Sequence, residues 1–258
     1  MSKVQQGSKR CLLEFDPRIF TRIGRLGRRS SSLGGRRFGM TEIVTTETKS
    51  LGDRSYVVSD GEVAAVIDPQ RDIDRVLAVV ERLGVRITHV FETHVHNDYV
   101  TGGLALARRV GAAYVLSAAE DVDFDHVGVR DGDEVPVGRF VVIALHPPGH
   151  TPHHMSYVVG EGGRPCAVFT GGSMLYGTVG RTDLIADDQT EELTRAQFRS
   201  VRRLAAELPD DVAVQPPTDS GASARRPRQA APTRAPLPSN ERPTSRSPLT
   251  TKTASSTR

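Results

Sequence analysis

The segment Thr93-His94-Val95-His96-Asn97-Asp98-Tyr99 brings two imidazoles and a carboxylate into one short stretch. It follows the apolar run Val85 to Phe91 and precedes Gly102-Gly103. Two histidines one residue apart on an extended strand point to opposite faces. A loop just past the strand end can instead bend both towards one ion. Imidazole suits zinc and iron, and Asp98 adds a hard oxygen ligand or a base. Alone, a His-x-His pair reads more simply as two satisfied or solvent-exposed histidines; the case for a metal comes from what accompanies it. A second segment, Pro147-Pro148-Gly149-His150-Thr151-Pro152, also sits just past a strand, and a histidine held between Gly and Pro residues there is a rigid ligand. His146, His153 and His154 lie beside it, and His153 and His154 read as solvated surface. A third segment, Phe169-Thr170-Gly171-Gly172-Ser173, is followed by Gly177 to Leu184; its glycines permit close backbone approach to a ligand, or form a plain turn.

These segments need elements to hold them. Ser55 to Val58 and Val63 to Ile67 read as strands joined by Ser59-Asp60-Gly61-Glu62, with Asp68-Pro69 as the stop. Ile73, Val76, Leu77, Val80 and Leu83 share one helical face, and Gly84 ends that helix. A strand over Val85 to Phe91, a helix from about Gly103 to Val110 closed by Gly111, and a strand from Ala112 to Leu116 follow. Val135 to Val137 pairs with Phe140 to Leu145, and Met155 to Val159 with Cys166 to Phe169 across Gly160-Glu161-Gly162-Gly163. Asp188 with Glu191 resembles a capping box opening a helix through Phe198, Val201, Leu204 and Leu208. Val212 to Val214 begins a strand without a continuation. Strand pairs mixed with strand–helix units indicate an α/β layered sandwich.

Composition narrows the options. The 258 residues carry a net charge of +3, but residues 1–39 hold ten Lys/Arg against two acids and residues 216–258 hold eight against two. The stretch between is left with 16 bases and 27 acids, so the basic character belongs to the ends and specific nucleic-acid binding is not expected. Residues 1–39 read as a disordered extension or an upstream start with Met40 the true one; their Arg- and Ser-rich make-up is also that of a targeting peptide. Residues 216–258, Pro- and Arg-rich, cannot bury enough apolar surface to order themselves. The domain is expected over 40–215. Two cysteines exclude a disulfide framework, no apolar run reaches the roughly 18 residues of a membrane helix, and there is neither a Gly-x-Gly-x-x-Gly nor a Walker loop.

His94-x-His96-x-Asp98, Pro148-Gly149-His150-Thr151, Phe169-Thr170-Gly171 and Gly180-Arg181-Thr182-Asp183, in this order, resemble the metallo-β-lactamase superfamily. Within it the sequence is similar to persulfide dioxygenases (sulfur dioxygenases), including forms fused to rhodanese domains, over about Thr41 to Val214. The resemblance implies an αββα sandwich with a metal site along one edge of two sheets. It implies Fe(II) held by two His and a carboxylate, with open positions for O2 and a small thiol persulfide such as that of glutathione. His94 and His150 would be the iron ligands, His96 a ligand as in the related zinc hydrolases, Asp98 a second-metal ligand or base, and Arg181 a wall of the persulfide pocket. The reaction would be oxidation of the persulfide to sulfite, in the cytoplasm; a homodimer is compatible with this.

Three departures accompany the resemblance. Tyr99 stands where the superfamily usually has His, which argues against a two-metal site. Gly172 stands where Asp is usual, leaving water, Ser173 or Asp98 as substitute ligands. No histidine follows His154, and the chain turns Pro- and Arg-rich near Val214, so the domain reads as C-terminally truncated, as by a slip of reading frame. A zinc thioester hydrolase of the glyoxalase II type and a degenerate, non-catalytic protein of the same fold therefore stay open.

Overall fold

Seven strands form one sheet: Arg36–Phe38 (β1), Thr41–Thr48 (β2), Asp53–Ser59 (β3), Val63–Ile67 (β4), Arg86–Phe91 (β5), Ala113–Ser117 (β6) and Val127–Val129 (β7). They lie in sequence order, antiparallel from β1 to β4 and parallel from β4 to β7. A second sheet holds Glu134–Val137 (β8), Phe140–Leu145 (β9), Ser156–Glu161 (β10), Arg164–Phe169 (β11) and Ala213–Gln215 (β12), in the order β12-β11-β10-β9-β8. The computed structural model describes residues 36–38, 41–48, 53–97 and 99–217. The chain divides into two units, Met1–Ala222 and Ser223–Arg258, and every described residue belongs to the first. The disorder expected of 1–39 and 216–258 concerns residues outside this description, apart from β1 and residues 216–217.

The period-2 alternation of strands decides the layers. Tyr56, Val58, Ala65, Ile67 and Phe91 point inward and meet Phe140, Val142, Ala144, Tyr157 and Phe169 of the other sheet. Their neighbours Val57, Ala64, Val66 and Val90 point outward under two helices, Ile73–Leu83 (α1) and Gly103–Val110 (α2). Both helices end on a glycine in the left-handed region, Gly84 and Gly111. On the far side Leu145, Val158 and Val168 pack with Leu204 of the third helix, Thr190–Glu207 (α3). The result is the expected αββα sandwich.

Four readings are refined. The sequence does not mark β2: Thr41–Thr48 is mostly Thr and Glu with two apolar residues, Ile43 and Val44, and only Thr41 and Ile43 are buried. Val212 to Val214 does find a partner, since β12 pairs in parallel with β11. No side-chain cap opens α3, which is preceded by a 3₁₀ turn over Asp187–Gln189. Phe198 is 65% exposed with Arg202 over its ring, while Gln197 and Ser200 are buried. Where α3 passes over loop carbonyls it presents donors: Gln197 donates to Ser173 O, and Ser200 Oγ to Pro148 O at 2.7 Å.

The two sheets are also tied at Asp60, in the β3–β4 turn. Its carboxylate accepts the backbone N–H groups of Glu62, Val63 and Arg139, each at 2.9 Å, the last from the β8–β9 turn. Burial alone would raise its pKa; these donors and the Arg139 charge outweigh that and hold it below the usual value. A carboxylate with a lowered folded pKa contributes stability above the unfolded pKa of about 3.9 and loses it as pH falls through the folded value. Asp60→Asn is expected to unfold about 1.5–3 kcal/mol more easily at pH 7, the scale of hydrogen bonds to a charged group. In urea titrations that deficit should shrink below about pH 4.

Candidate metal centre

β4 and β5 run in parallel and finish at one edge of the first sheet; β9 and β11 finish at the matching edge of the second. Asp68 follows β4, Glu92 to Tyr99 follow β5, His146 to Met155 follow β9, and Thr170 to Ser173 follow β11. The sheets are pinned together there, because Met155 N donates to Thr93 O at 2.6 Å and Tyr157 Oη to Glu92 O at 2.8 Å. Three separate sequence motifs thus arrive at one place.

Asp68 organises the first of them. It is the only described non-glycine residue with positive φ, at 48°, a conformation rare outside glycine and held only when the surroundings fix it. Its Oδ1 accepts Thr93 N at 2.7 Å and its Oδ2 accepts Thr93 Oγ1 at 2.9 Å. Thr93 Oγ1, its proton committed to Asp68, accepts from His94 Nδ1 at 2.9 Å. This network assigns the His94 proton to Nδ1 and turns the Nε2 lone pair outward, the orienting function that a carboxylate performs behind a metal-bound imidazole. His94 Nε2 is buried and has no hydrogen-bond partner among the described residues. Thr93→Val should therefore weaken metal binding about 10–100-fold, as loss of an outer partner does, measured by chelator competition.

His150 is set in the same way. Its Nδ1 lies 2.7 Å from the Arg181 carbonyl oxygen and donates to it, which leaves Nε2 as the ring's donor to an ion. Arg181, expected to wall the pocket, contributes this carbonyl; its guanidinium is 72% exposed and pairs with Asp183 at 2.9 and 3.0 Å. The His94 and His150 ring centroids are 4.8 Å apart. His96 lies 4.1 Å from His94, ring to ring, but its Nε2 faces away into a buried acidic pair. That nitrogen is 3.3 Å from Asp68 Oδ1, 3.3 Å from Glu92 Oε2 and 3.0 Å from Tyr99 Oη. Burial raises the Glu92 carboxyl above its usual range, and the contact with His96 opposes this. The donor atoms of Asp68, Glu92 and His96 all lie within 4.8 Å of one another. Asp68 already uses both oxygens on Thr93, so the trio acts as a buttress behind the histidines. Asp98 lies outside the described residues.

His154 overturns its reading as solvated surface. It is fully buried, with its ring 5.1 Å from His94 and 6.0 Å from His150. The turn through Pro152 keeps its neighbour His153 half-exposed while directing His154 inward just before β10. Burial, and then the neighbouring imidazoles, hold His94 and His154 well below the usual imidazole pKa. Both are neutral near pH 7, the form that ligates. Asp68, Glu92 and His154 were not foreseen as parts of the site. An acid directly after an apolar strand, as in Ile67-Asp68 and Phe91-Glu92, is the signal that marks the first two. The residues present fit a metal ion: His94 and His150 are oriented from behind, and the buried Nε2 of His94 has no hydrogen-bond partner among the described residues.

The model of the metallo-beta-lactamase superfamily matches residues 53–215. This chain belongs to the metallo-β-lactamase superfamily, a metal-binding fold. It is 30% identical over 176 residues to the mitochondrial persulfide dioxygenase ETHE1 of Homo sapiens, covering 67% of this chain and 64% of that protein. The chain thus spans a little under two thirds of the length of that relative. It is 32% identical over 157 residues to a hydroxyacylglutathione hydrolase of Synechococcus sp., covering 58% of this chain and 57% of the relative. Among solved structures, ETHE1 from Myxococcus xanthus superposes with a TM-score of 0.61 at 34% identity, over 70% of this chain and 77% of that one.

Proposed function

We propose that this chain is a mononuclear, iron-dependent persulfide dioxygenase acting on the persulfide of a small thiol such as glutathione. The observation that carries the reading is Tyr99. It replaces the histidine that a second metal would use, and its hydroxyl lies against His96 Nε2, which the two buried acids also engage. A site for one ion suits oxidation better than the two-metal hydrolysis of a thioester. The names of the human and Myxococcus relatives support the same reading.

In the overall change, persulfide, O2 and water give thiol and sulfite; the outer sulfur gives up four electrons and O2 accepts them. Iron(II), held by His94 and His150, would supply the redox centre that brings O2 and sulfur together. The protein's part is orientation and exclusion. Thr93 and the Arg181 carbonyl fix which nitrogen of each histidine faces the centre. Val95 and Val179, 52% and 41% exposed on the loops that carry His94 and adjoin His150, give an apolar rim for the thiol carrier. Asp98 is the proposed base.

The test is oxygen uptake by protein loaded anaerobically with Fe(II). One O2 consumed per glutathione persulfide, with sulfite formed, is the expected result. A second reading, zinc-dependent thioester hydrolysis, has the hydroxyacylglutathione hydrolase relative in its favour. Hydroxyacylglutathione cleaved by the zinc-loaded protein, without persulfide-dependent oxygen uptake by the iron-loaded one, would replace the first reading with it. Metal binding without either activity would indicate a non-catalytic member of the fold.

A further inference from the structure

We propose that Gln197 and Ser200 of α3 are positioning residues of the metal centre: they hold the loop that carries His150 against the wall on which its ring packs. The inference rests on the metalloenzyme reading above and extends it to residues that do not themselves ligate.

The loop after β9 reads His146-Pro147-Pro148-Gly149-His150-Thr151-Pro152. Proline has no N–H to donate, so three of these seven residues can be fixed by backbone hydrogen bonds only through their carbonyls. The donors must come from another element, and α3 supplies one. Ser200 Oγ donates to the carbonyl of Pro148, two residues before His150, at 2.7 Å. Gln197 Nε2 donates to the carbonyl of Ser173, next to Gly172. The His150 ring packs on Gly172, since a Cβ there would fall 2.0 Å from His150 Cδ2. The Gly172 carbonyl in turn accepts Gly180 N at 2.8 Å, one residue before the Arg181 carbonyl that orients the ring.

Gln197 also presses on the loop itself. A Cβ at Gly149 would fall 2.3 Å from Gln197 Oε1 and 2.5 Å from Gln197 Cα. Gly149 has a φ of 150°, where glycine alone is at ease. One side chain thus meets both the residue before His150 and the segment behind its ring. Packing for stability alone would choose otherwise. Leu193, Ala196 and Leu204 share the buried side of α3 with Gln197 and Ser200, which are 3% and 5% exposed. Apolar residues at all five positions would bury more hydrocarbon surface. Gln197 even leaves its Oε1 buried without a hydrogen-bond partner among the described residues, a cost that an apolar side chain avoids. The polar residues stand where the two loops of the site present carbonyls. A ligand whose supporting groups are loose loses the direction of its lone pair. Loss of either donor should therefore weaken metal binding even where the fold survives.

Cobalt(II), titrated into the full-length apoprotein against a competing chelator and followed by its visible absorption, reads the setting of His150 without turnover. The variants are Gln197→Leu and Ser200→Ala. Leu204→Val is the control, because Leu204 packs with Leu145, Val158 and Val168 and donates to neither carbonyl. Below the melting temperature of each variant, Gln197→Leu and Ser200→Ala should each bind Co(II) about tenfold more weakly or worse, the low end of what loss of an outer partner costs, with a changed absorption spectrum. Leu204→Val should melt lower yet bind Co(II) with native affinity and spectrum. Weakening of less than tenfold in either variant would remove that residue from the assignment, and if one of the two does not fold the other decides. Equal weakening in Leu204→Val would overturn the proposal, because α3 would then act through stability alone. A native chain that binds no Co(II) would instead overturn the metalloenzyme reading on which the proposal rests.

Discussion

Protein carrying His150→Ala, or His94→Ala, is expected to purify without stoichiometric metal and to show no persulfide-dependent oxygen uptake. Each ring is oriented from behind by a fixed acceptor, His94 by Thr93 and His150 by the Arg181 carbonyl. Removing one of these outer partners costs about 10–100-fold in affinity. Removing the ring itself removes a donor that a water molecule replaces without orientation, so the loss should exceed 100-fold. The variants should stay folded by circular dichroism, because β5, β9 and the inter-sheet core do not depend on either ring. His153→Ala, half-exposed beside them, should keep its metal. Elemental analysis separates the outcomes. Metal at native stoichiometry in both His94→Ala and His150→Ala would place the ion elsewhere, the Asp68, Glu92 and His96 group being the next candidate.

The parts of the molecule with strong periodicity were readable before any coordinates. Ile73–Leu83 and Gly103–Val110 emerge with the bounds that apolar spacing and the flanking glycines indicate. Val63–Ile67 and Phe140–Leu145 are equally plain, because strands buried on both faces are nearly continuous apolar runs. β2 is hard to read because Ile43 and Val44 are its only apolar residues, one for each face, among Thr and Glu. The site was legible where ligands follow strands, at His94 and His150. It was not legible where function depends on direction: nothing in His153-His154 says which imidazole turns inward, since a one-residue difference in where β10 begins reverses the choice. His96 shows the same limit, because its spacing suits a ligand while its Nε2 is held by Asp68 and Glu92. Apolarity alone places Phe198 inward, whereas beside the apolar contact of Leu204 with Leu145, Val158 and Val168 the surface under α3 offers loop carbonyls, which call for Gln197 and Ser200.

Gly172→Asp, which would restore the carboxylate usual at this position, is expected to lower metal affinity rather than raise it. The reason is space. Any Cβ at residue 172 would lie 2.0 Å from His150 Cδ2, 2.4 Å from its Cγ and 2.5 Å from its Nε2. Contacts below 3 Å require one group to move, and the ring is confined on its other side as well. A Cβ at Gly180 would come within 2.6 Å of His150 Nδ1, and the Arg181 carbonyl holds that same nitrogen at 2.7 Å. Glycine at both positions is thus what allows the imidazole to sit where it does. A side chain at 172 must push His150 off its acceptor, at the cost of about 1–3 kcal/mol typical of overpacking, and a misdirected Nε2 no longer faces the ion. Gly172→Ala isolates the steric part: it should melt lower and bind Co(II) more weakly than the native chain, with Gly172→Asp no better than Gly172→Ala. Tighter binding in Gly172→Asp than in the native chain would mean that His150 swings aside without cost and that a carboxylate is the ligand this site lacks.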